Sequence, residues 1–283
     1  MTIVGVLHPG SMGAAVAAQV RSDGPGVLWC TAERSSATQQ RAARHGLTAV
    51  RDLREVVDQA DVILSICPPA HAEDVVAETA AHSFSGTYVD ANAISPATMA
   101  RVAAIAERGG ATVVDGSIVG SPPSDSKSTR LYLSGPEVPV AAVAGLFDGS
   151  AVRTHALVGG VGRASALKLA YSSYQKTSRV LAAVSYALAR DHGVEAELLD
   201  IASGRTASYL AETDYIPKVA ARAWRWGPEM AEAAETLREA GLPAELAEAS
   251  AAVMNRWDAL RDSSLGVPEV LEQLHDKSAG TAD

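Results

Sequence analysis

Lys168, Tyr171, Ser172 and Gln175 follow one another at i, i+3, i+4 and i+7. In a helix this spacing puts an amine, a phenol, a hydroxyl and an amide on one face. A lysine one turn from a phenol and a hydroxyl is a candidate proton donor, with the two oxygens holding the group that takes the proton. The competing reading is a lysine that lays its stem along the helix margin and keeps its amine in water. The helix itself is plain. From about Arg163 to His192 no Pro or Gly interrupts the chain, and Gly193 supplies a stop. At ~1.5 Å per residue it is ~45 Å long. Leu167, Tyr174, Leu181 and Leu188 repeat every seven residues and predict one buried stripe beside the polar face.

The segments before this helix alternate between two kinds. "IVGVL", "GVLWC", "DVILSI", "TYVDA", "ATVVDGSIV" and "RLYLSG" are short apolar runs, and helical stretches such as Ala14–Val20, Ser36–His45 and Ala97–Arg108 lie between them. Such alternation predicts parallel strands joined by crossover helices. After "AVRTHALVGGVG" only helical patterns follow, broken at "HGV", "WGPE" and "AGLPAE". The expected organisation is an α/β domain over residues 1–160 and an all-α domain over 161–283, joined by the long helix.

Bulk properties narrow the function classes. The 283 residues are 47% hydrophobic and 20% charged, as in a globular protein. A net charge of -9 argues against nucleic acid or an anionic membrane as the main partner. No run approaches the ~18 apolar residues of a membrane helix, and no basic leader precedes the first strand, so a cytoplasmic location is expected. The two cysteines, Cys30 and Cys67, each end an apolar run and are expected as buried thiols. Neither metal-ligand spacing nor a disulfide framework is present, and no metal is expected.

The first strand runs into His8-Pro9-Gly10-Ser11-Met12-Gly13. Gly10 and Gly13 keep the second and third positions of the dinucleotide fingerprint G-x-G-x-x-G, while His8 stands at the first. The second glycine lets backbone approach a pyrophosphate, the third lets helix pack on strand, and the helix start offers free N–H groups to phosphate. After the second strand an NAD site usually places an acid near the ribose. Here the chain reads Cys30-Thr31-Ala32-Glu33-Arg34-Ser35-Ser36, followed by Thr38. Arg34, Ser35 and Thr38 suit the 2′-phosphate of NADP, a guanidinium and two hydroxyls against an anion. Glu33 keeps NAD open. Asn92, in "VDANAISP", ends a strand facing the expected nicotinamide, where it positions ring or substrate or else closes an Asx turn. Cys67-Pro68-Pro69 shape the loop beneath the cofactor. Arg222, Trp224, Arg225 and Trp226 form a cationic-aromatic segment that lines a cleft or an interface between subunits.

With that turn, "ADVILSICPPAHAEDVV", "VDGSIVGSPPSDSKSTRLYLSG" and "GRASALKLAYSSYQK" occur in order. Together they resemble the β-hydroxyacid dehydrogenase and 6-phosphogluconate dehydrogenase superfamily, whose architecture imine reductases share. The resemblance covers nearly the whole chain and is nearest a phosphogluconate dehydrogenase-like branch with its own helical C-terminal domain. It implies a Rossmann domain, a long interdomain helix, a homodimer with embracing helical domains, and an active site in the cleft between domains. The family's substrate loop, roughly D-A-P-V-S-G-G, matches Asp115-Gly116-Ser117-Ile118-Val119-Gly120-Ser121. Gly120 is kept, Val119 replaces the serine that binds substrate carboxylate, and Ser117 and Ser121 are the hydroxyls that remain. Gly162 and Lys168 keep the spacing of the catalytic helix, Tyr171 stands where an amide or imidazole is usual, and Ser172 where Asn is usual. Gln175 occupies the position of the acid that phosphogluconate dehydrogenases use after decarboxylation, and Lys176 is placed to meet an anionic substrate.

These readings imply an NADP-dependent oxidoreductase that moves hydride between nicotinamide and a small carbonyl or alcohol. Lys168 acts as general acid and base, and Tyr171 and Ser172 orient the oxygen. Imine reduction is the alternative enzyme, although a lysine cation repels an iminium. A nucleotide-binding sensor without chemistry is the alternative of another class, with Val119 and Tyr171 as its signs.

Overall fold

Strand β1 (Val4–Leu7) is buried along its whole length, as are β2 (Val27–Cys30) and β4 (Val62–Ser65). Continuous apolar runs of this kind are what a sheet covered on both faces requires. The computed structural model describes residues 2–21, 26–204, 209 and 212–275. One eight-stranded sheet has the order β3-β2-β1-β4-β5-β6-β7-β8, where β3 is Thr48–Val50, β5 Thr87–Asp90, β6 Thr112–Val119, β7 Thr129–Ser134 and β8 Val152–Ala156. The first six strands are parallel, in the 3-2-1-4-5-6 order of a Rossmann sheet. Helices α1 (Ser11–Ala17), α2 (Ser36–Arg44), α3 (Leu53–Gln59), α4 (Ala72–Ala81) and α5 (Pro96–Arg108) connect them. Ser35, Asp52 and Ser95 cap α2, α3 and α5 through their side chains, which sets where those helices begin.

Two clusters form the core, one on each face of the sheet. Val6, Val16, Trp29, Leu64, Val114, Leu133 and Phe147 lie in one, and Ile63, Val76, Tyr88, Met99, Val102 and Val113 in the other.

The far edge departs from the parallel expectation. β7 runs antiparallel to β6, because only nine residues separate them and a parallel return needs a dozen or more. β3 and β8 were not singled out as strands. β3 has three residues, and β8 at the edge reads Val152-Arg153-Thr154-His155-Ala156, so neither carries a run of Val and Ile. Helix α6 (Glu137–Gly145) joins β7 to β8.

The chain divides into two compact units, Met1–Ser172 and Ser173–Asp283. The division falls inside α7 (Arg163–Asp191), so Lys168, Tyr171 and Ser172 belong to the first unit and Gln175 and Lys176 to the second. The second unit is helical among its described residues: the end of α7, then α8 (Glu195–Ser203), α9 (Ile216–Ala220), α10 (Ala223–Glu239), α11 (Glu245–Asn255) and α12 (Val267–Glu272). α10 and α11 pack as a pair through Ala234, Leu237, Ala244 and Ala247, with Leu188 of α7 against them. Trp257 packs with Ala220, Ala223, Leu260 and Val270, and its indole N–H donates to Val270 O.

The heptad stripe of α7 is not buried as a whole. Leu188 packs inside the second unit, but Leu167 is 38% exposed and Leu181 44%. The stripe is divided between the two units, with Leu167 in the first and Leu181 and Leu188 in the second, so no single core runs along it.

Candidate active site

The turn after β1 explains its own residues. His8 has φ 64°, the left-handed conformation that a first glycine normally supplies, at a cost of ~1–2 kcal/mol for a residue with a Cβ. Gly10 N donates to His8 O at 2.7 Å and closes the turn. His8 O then lies so near α1 that a Cβ on Gly13 would stand 2.8 Å from it, so the third glycine is a packing requirement. Pro9 is buried, Met12 packs on the core, and Ser11 is exposed at the helix start. Gly10 provides no side-chain cap to α1, which leaves first-turn N–H groups for a phosphate. Arg41 of α2 reaches over to donate to Pro9 O.

Beside the turn lies a cleft of about 620 Å³ at the carboxyl ends of β1 and β2, lined by Leu7, His8, Cys30, Glu33, Arg34, Asp52, Leu53 and Val75 among others. Ligands of doubly wound sheets bind at this end. Two nitrogens here are buried without a partner, His8 Nδ1 and Arg34 Nε. Burial, reinforced by the Arg34 cation and by His71 nearby, holds the His8 imidazole down at about 4. Glu33 stands in the left-handed region at φ 56°, in the same cleft. Ser35 and Thr38 are engaged with each other: Thr38 N donates to Ser35 Oγ at 3.3 Å and the hydroxyls lie 3.1 Å apart. Unpartnered nitrogens in the cleft, an uncapped helix start and a glycine-only contact beneath it fit a dinucleotide bearing phosphate.

The β4 and β5 ends meet through Asn92, which is buried. Its Oδ1 accepts from Cys67 N at 2.6 Å, and its Nδ2 donates to Asp90 Oδ2 at 2.9 Å and Ser65 Oγ at 3.3 Å. Asn92 N also donates to Asp90 Oδ1, so the side chain that closes this local turn is Asp90, and the Asn92 side chain is engaged with Cys67, Ser65 and Asp90 instead. It thus holds the loop of Cys67, Pro68 and Pro69 against β5. Burial pushes the Asp90 carboxyl up to about 7, opposed by the two Asn92 donors. Burial likewise raises the Cys67 thiol to about 11, so it is protonated near neutrality and is no ready nucleophile.

Lys168 is placed by a buried anchor. Asp115 of β6 is wholly buried. Its Oδ2 accepts from Gly162 N (2.8 Å), Ser165 N (3.1 Å) and Ser134 Oγ (3.0 Å), and its Oδ1 from Ser165 Oγ (2.7 Å). Ser134 Oγ accepts from Ala164 N at 3.1 Å. Ser117, also buried, donates to Ala164 O, so its hydroxyl braces α7 rather than lying open to a ligand. α7 is thereby locked on the end of the sheet, and Lys168 Nζ donates to Ile118 O at 2.5 Å. That carbonyl immediately precedes Val119, Gly120 and Ser121. Gly120 has φ 135°, and a Cβ there would stand 2.7 Å from Thr129 Oγ1, which donates to Ser121 O. Tyr171 is 38% exposed and Ser172 is buried. Gln175 is half-buried in the second unit, and the side chain of Lys176 lies outside the described residues.

Asp115 was visible only as part of the loop pattern. Its signal was a carboxylate inside an apolar strand, together with a long helix whose first residues, Gly162 to Ser165, carry no acid. Among the described residues no cluster of His, Cys, Asp and Glu is arranged to hold a metal ion, and no helix is long and apolar enough to cross a membrane. In the cationic-aromatic segment, Arg222 Nη1 donates to Tyr215 Oη and Trp224 stacks under Arg261 at 3.9 Å. The side chain of Arg225 lies outside the described residues.

Residues 3–159 match the family model described as the NAD binding domain of 6-phosphogluconate dehydrogenase. The chain belongs to that family. Residues 189–257 match a domain of unknown function, DUF1932. A reductive aminase from Aspergillus terreus, solved with NADPH and ethyl levulinate, superposes with a TM-score of 0.73 at 19% identity over 97% of this chain and 100% of that one. An imine reductase from a Pseudomonas species gives 0.72 at 18% identity over 97% and 99%. A 3-hydroxyisobutyrate dehydrogenase from Mycobacterium tuberculosis, solved with L-serine, gives 0.63 at 20% identity over 98% and 100%. At these identities the likeness is one of fold. An uncharacterised 28.5 kDa protein of Methanothermus fervidus is 26% identical over 175 residues, which span 62% of this chain and 66% of that relative.

Proposed function

We propose that the chain is an NADP-dependent oxidoreductase acting on a small carbonyl or alcohol, with Lys168 as its general acid and base. The observation that carries this reading is the Lys168 amine, latched through Asp115 to the end of the sheet and hydrogen-bonded to Ile118 O beside the Val119–Ser121 loop. A reduced nicotinamide supplies a hydride when bound. Lys168 Nζ then gives a proton to the substrate oxygen, and Tyr171 and Ser172 orient it. In the oxidative direction Lys168 takes the proton back. Gln175, an amide, delivers no proton after a decarboxylation, and Val119 offers no hydroxyl to a substrate carboxylate. Both set the chain apart from an efficient phosphogluconate dehydrogenase. The test is turnover of NADPH and NADH against a panel of aldehydes, ketones, hydroxy acids, cyclic imines and 6-phosphogluconate. Carbonyl reduction is the expected activity. Cofactor binding without turnover supports a sensor, preference for imines supports imine reduction, and rapid release of carbon dioxide from 6-phosphogluconate overturns the reading.

Arg34 carries the cofactor preference. Its guanidinium stands in the cleft with an unpartnered Nε, and Ser35 and Thr38 offer hydroxyls beside it. Arg34→Ala removes a charge-assisted contact of ~1.5–3 kcal/mol and weakens NADPH about 10- to 150-fold, with little change for NADH. Equal affinity of the unaltered protein for NADPH and NADH defeats the assignment.

The chain acts as a homodimer in this reading. Leu181, Leu199, Ile201 and Trp224 of the helical unit are exposed in the single chain, and a second copy covers them in this reading. Sedimentation at micromolar concentration is expected to give twice the chain mass of 29.2 kDa. A fully active monomer refutes it.

A further inference from the structure

We propose that the His8 side chain is a ligand for the 2′-phosphate of NADP, facing the phosphate together with Arg34, and that it takes up a proton as this phosphate binds. This rests on the reading of the cleft as an NADP site. Arg34 was singled out by its place after β2. His8 was counted with the cofactor turn because it stands at the first glycine position, and nothing about that position calls for an imidazole.

Three observations converge on it. The backbone of His8 is held at φ 64°, where a glycine sits without strain. A non-glycine residue kept in such a conformation asks for a compensating role. Its Nδ1 is buried without a partner, and so is Arg34 Nε. Both residues line one cleft at the ribose end of the site. A buried polar nitrogen without a partner is uncommon, and two of them flanking one cavity leave room for a ligand rich in acceptors. A phosphate dianion offers three acceptor oxygens.

The charges around His8 set the direction of the coupling. Arg34 from the β2 loop and His71 from the turn after β4 both disfavour its protonation, and burial disfavours it further. Arg54 and His82 add cationic or titratable groups at the rim, and Cys30 lines the same cleft. Glu33, Asp52 and Glu78 are the facing acids. In the free protein His8 is therefore neutral at pH 7. A dianion seated between His8 and Arg34 reverses the dominant local sign, and the imidazole gains a proton from solvent. NADH carries no 2′-phosphate and does not bring this charge.

The experiment is calorimetric titration of NADPH and NADH into the full-length protein between pH 6.5 and 8.5, in buffers of different ionisation enthalpy. NADPH affinity is expected to fall as pH rises, by up to about tenfold per pH unit where one proton is taken up, with proton uptake read from the buffer dependence. NADH affinity is expected to be flat. His8→Asn keeps a residue that tolerates the left-handed turn, and His8→Gly restores the usual glycine. Both are checked for folding by thermal melting, and both are expected to abolish the extra pH slope and weaken NADPH more than NADH. An NADPH slope unchanged in both variants overturns the proposal, and Arg34-dependent NADPH preference in the same data would still stand. An equal slope for NADH assigns the proton to the pyrophosphate and overturns it. A larger loss for NADH than for NADPH makes His8 an acceptor from a ribose hydroxyl and overturns it too. No binding of either cofactor defeats this proposal and the NADP reading together.

Discussion

Lys168→Met lowers kcat about 100- to 10,000-fold while NADPH affinity stays near normal, the usual worth of a positioned proton donor. Methionine keeps the length and the apolar stem of lysine, so the packing of α7 is disturbed little and the loss reports on the amine. The amine sits at Ile118 O, and Lys168 is not among the residues that line the cleft of His8 and Arg34. Binding and chemistry should therefore separate. Lys168→Arg is not expected to rescue, because a guanidinium hardly gives up its proton near neutral pH. Tyr171, exposed and one turn further on, is the rival donor. If Lys168→Met keeps normal turnover and Tyr171→Phe is inactive, the proton comes from the phenol. If neither change matters, the reaction does not run through this face of α7.

The largest effect on stability is expected at Asp115. Its two oxygens accept four hydrogen bonds with no exposure to solvent, from Gly162 N, Ser165 N, Ser165 Oγ and Ser134 Oγ. Asp115→Ala leaves those donors buried and unpaired. Each bond to a charged group contributes ~1.5–3 kcal/mol, and breaking a buried charged network costs roughly 3–5 kcal/mol. For a unit of 150 or more residues this lowers Tm by roughly 6–20 °C. Asp115→Asn keeps one carbonyl acceptor and should lose about half as much. Because Asp115 fastens the start of α7, kcat should fall in both variants with Lys168 itself intact. A melting point within 2 °C of the parent for the alanine variant would show that α7 is held by other means.

Much of the frame was legible along the chain. Uninterrupted apolar runs marked β1, β2, β4, β5 and β6 because a doubly covered sheet leaves no strand face for water. The absence of Gly and Pro from about Arg163 to His192 marked α7, and the i, i+3, i+4, i+7 spacing of Lys168, Tyr171, Ser172 and Gln175 grouped its polar residues on one face. Gly10 and Gly13 marked the phosphate turn, since close backbone approaches exclude a Cβ at Gly13 whatever surrounds them. These are local rules of backbone geometry and burial, and they are written in residue type and spacing.

Other features depended on residues far apart in sequence. Asp115 and Ser165 are fifty positions apart, and no spacing rule pairs them; only the docking of α7 on β6 makes a capping partner of a strand residue. Ser117 looked like a substrate hydroxyl until the same docking directed it to Ala164 O. β7 turned antiparallel because a short connection left no room for a crossover, and β8 followed it at an edge that alternation alone did not reveal. His8 read as a missing glycine. Its unpartnered nitrogen and its neighbours Arg34 and His71 come from three separate loops, which meet only when the sheet has formed. The sequence by itself thus determined six of the eight strands, the long helix and the cofactor turn, because each is written in residue type and local spacing. Which polar side chains anchor the helix and which remain open to a ligand was decided by the tertiary structure, because hydrogen-bond partners are assigned by packing.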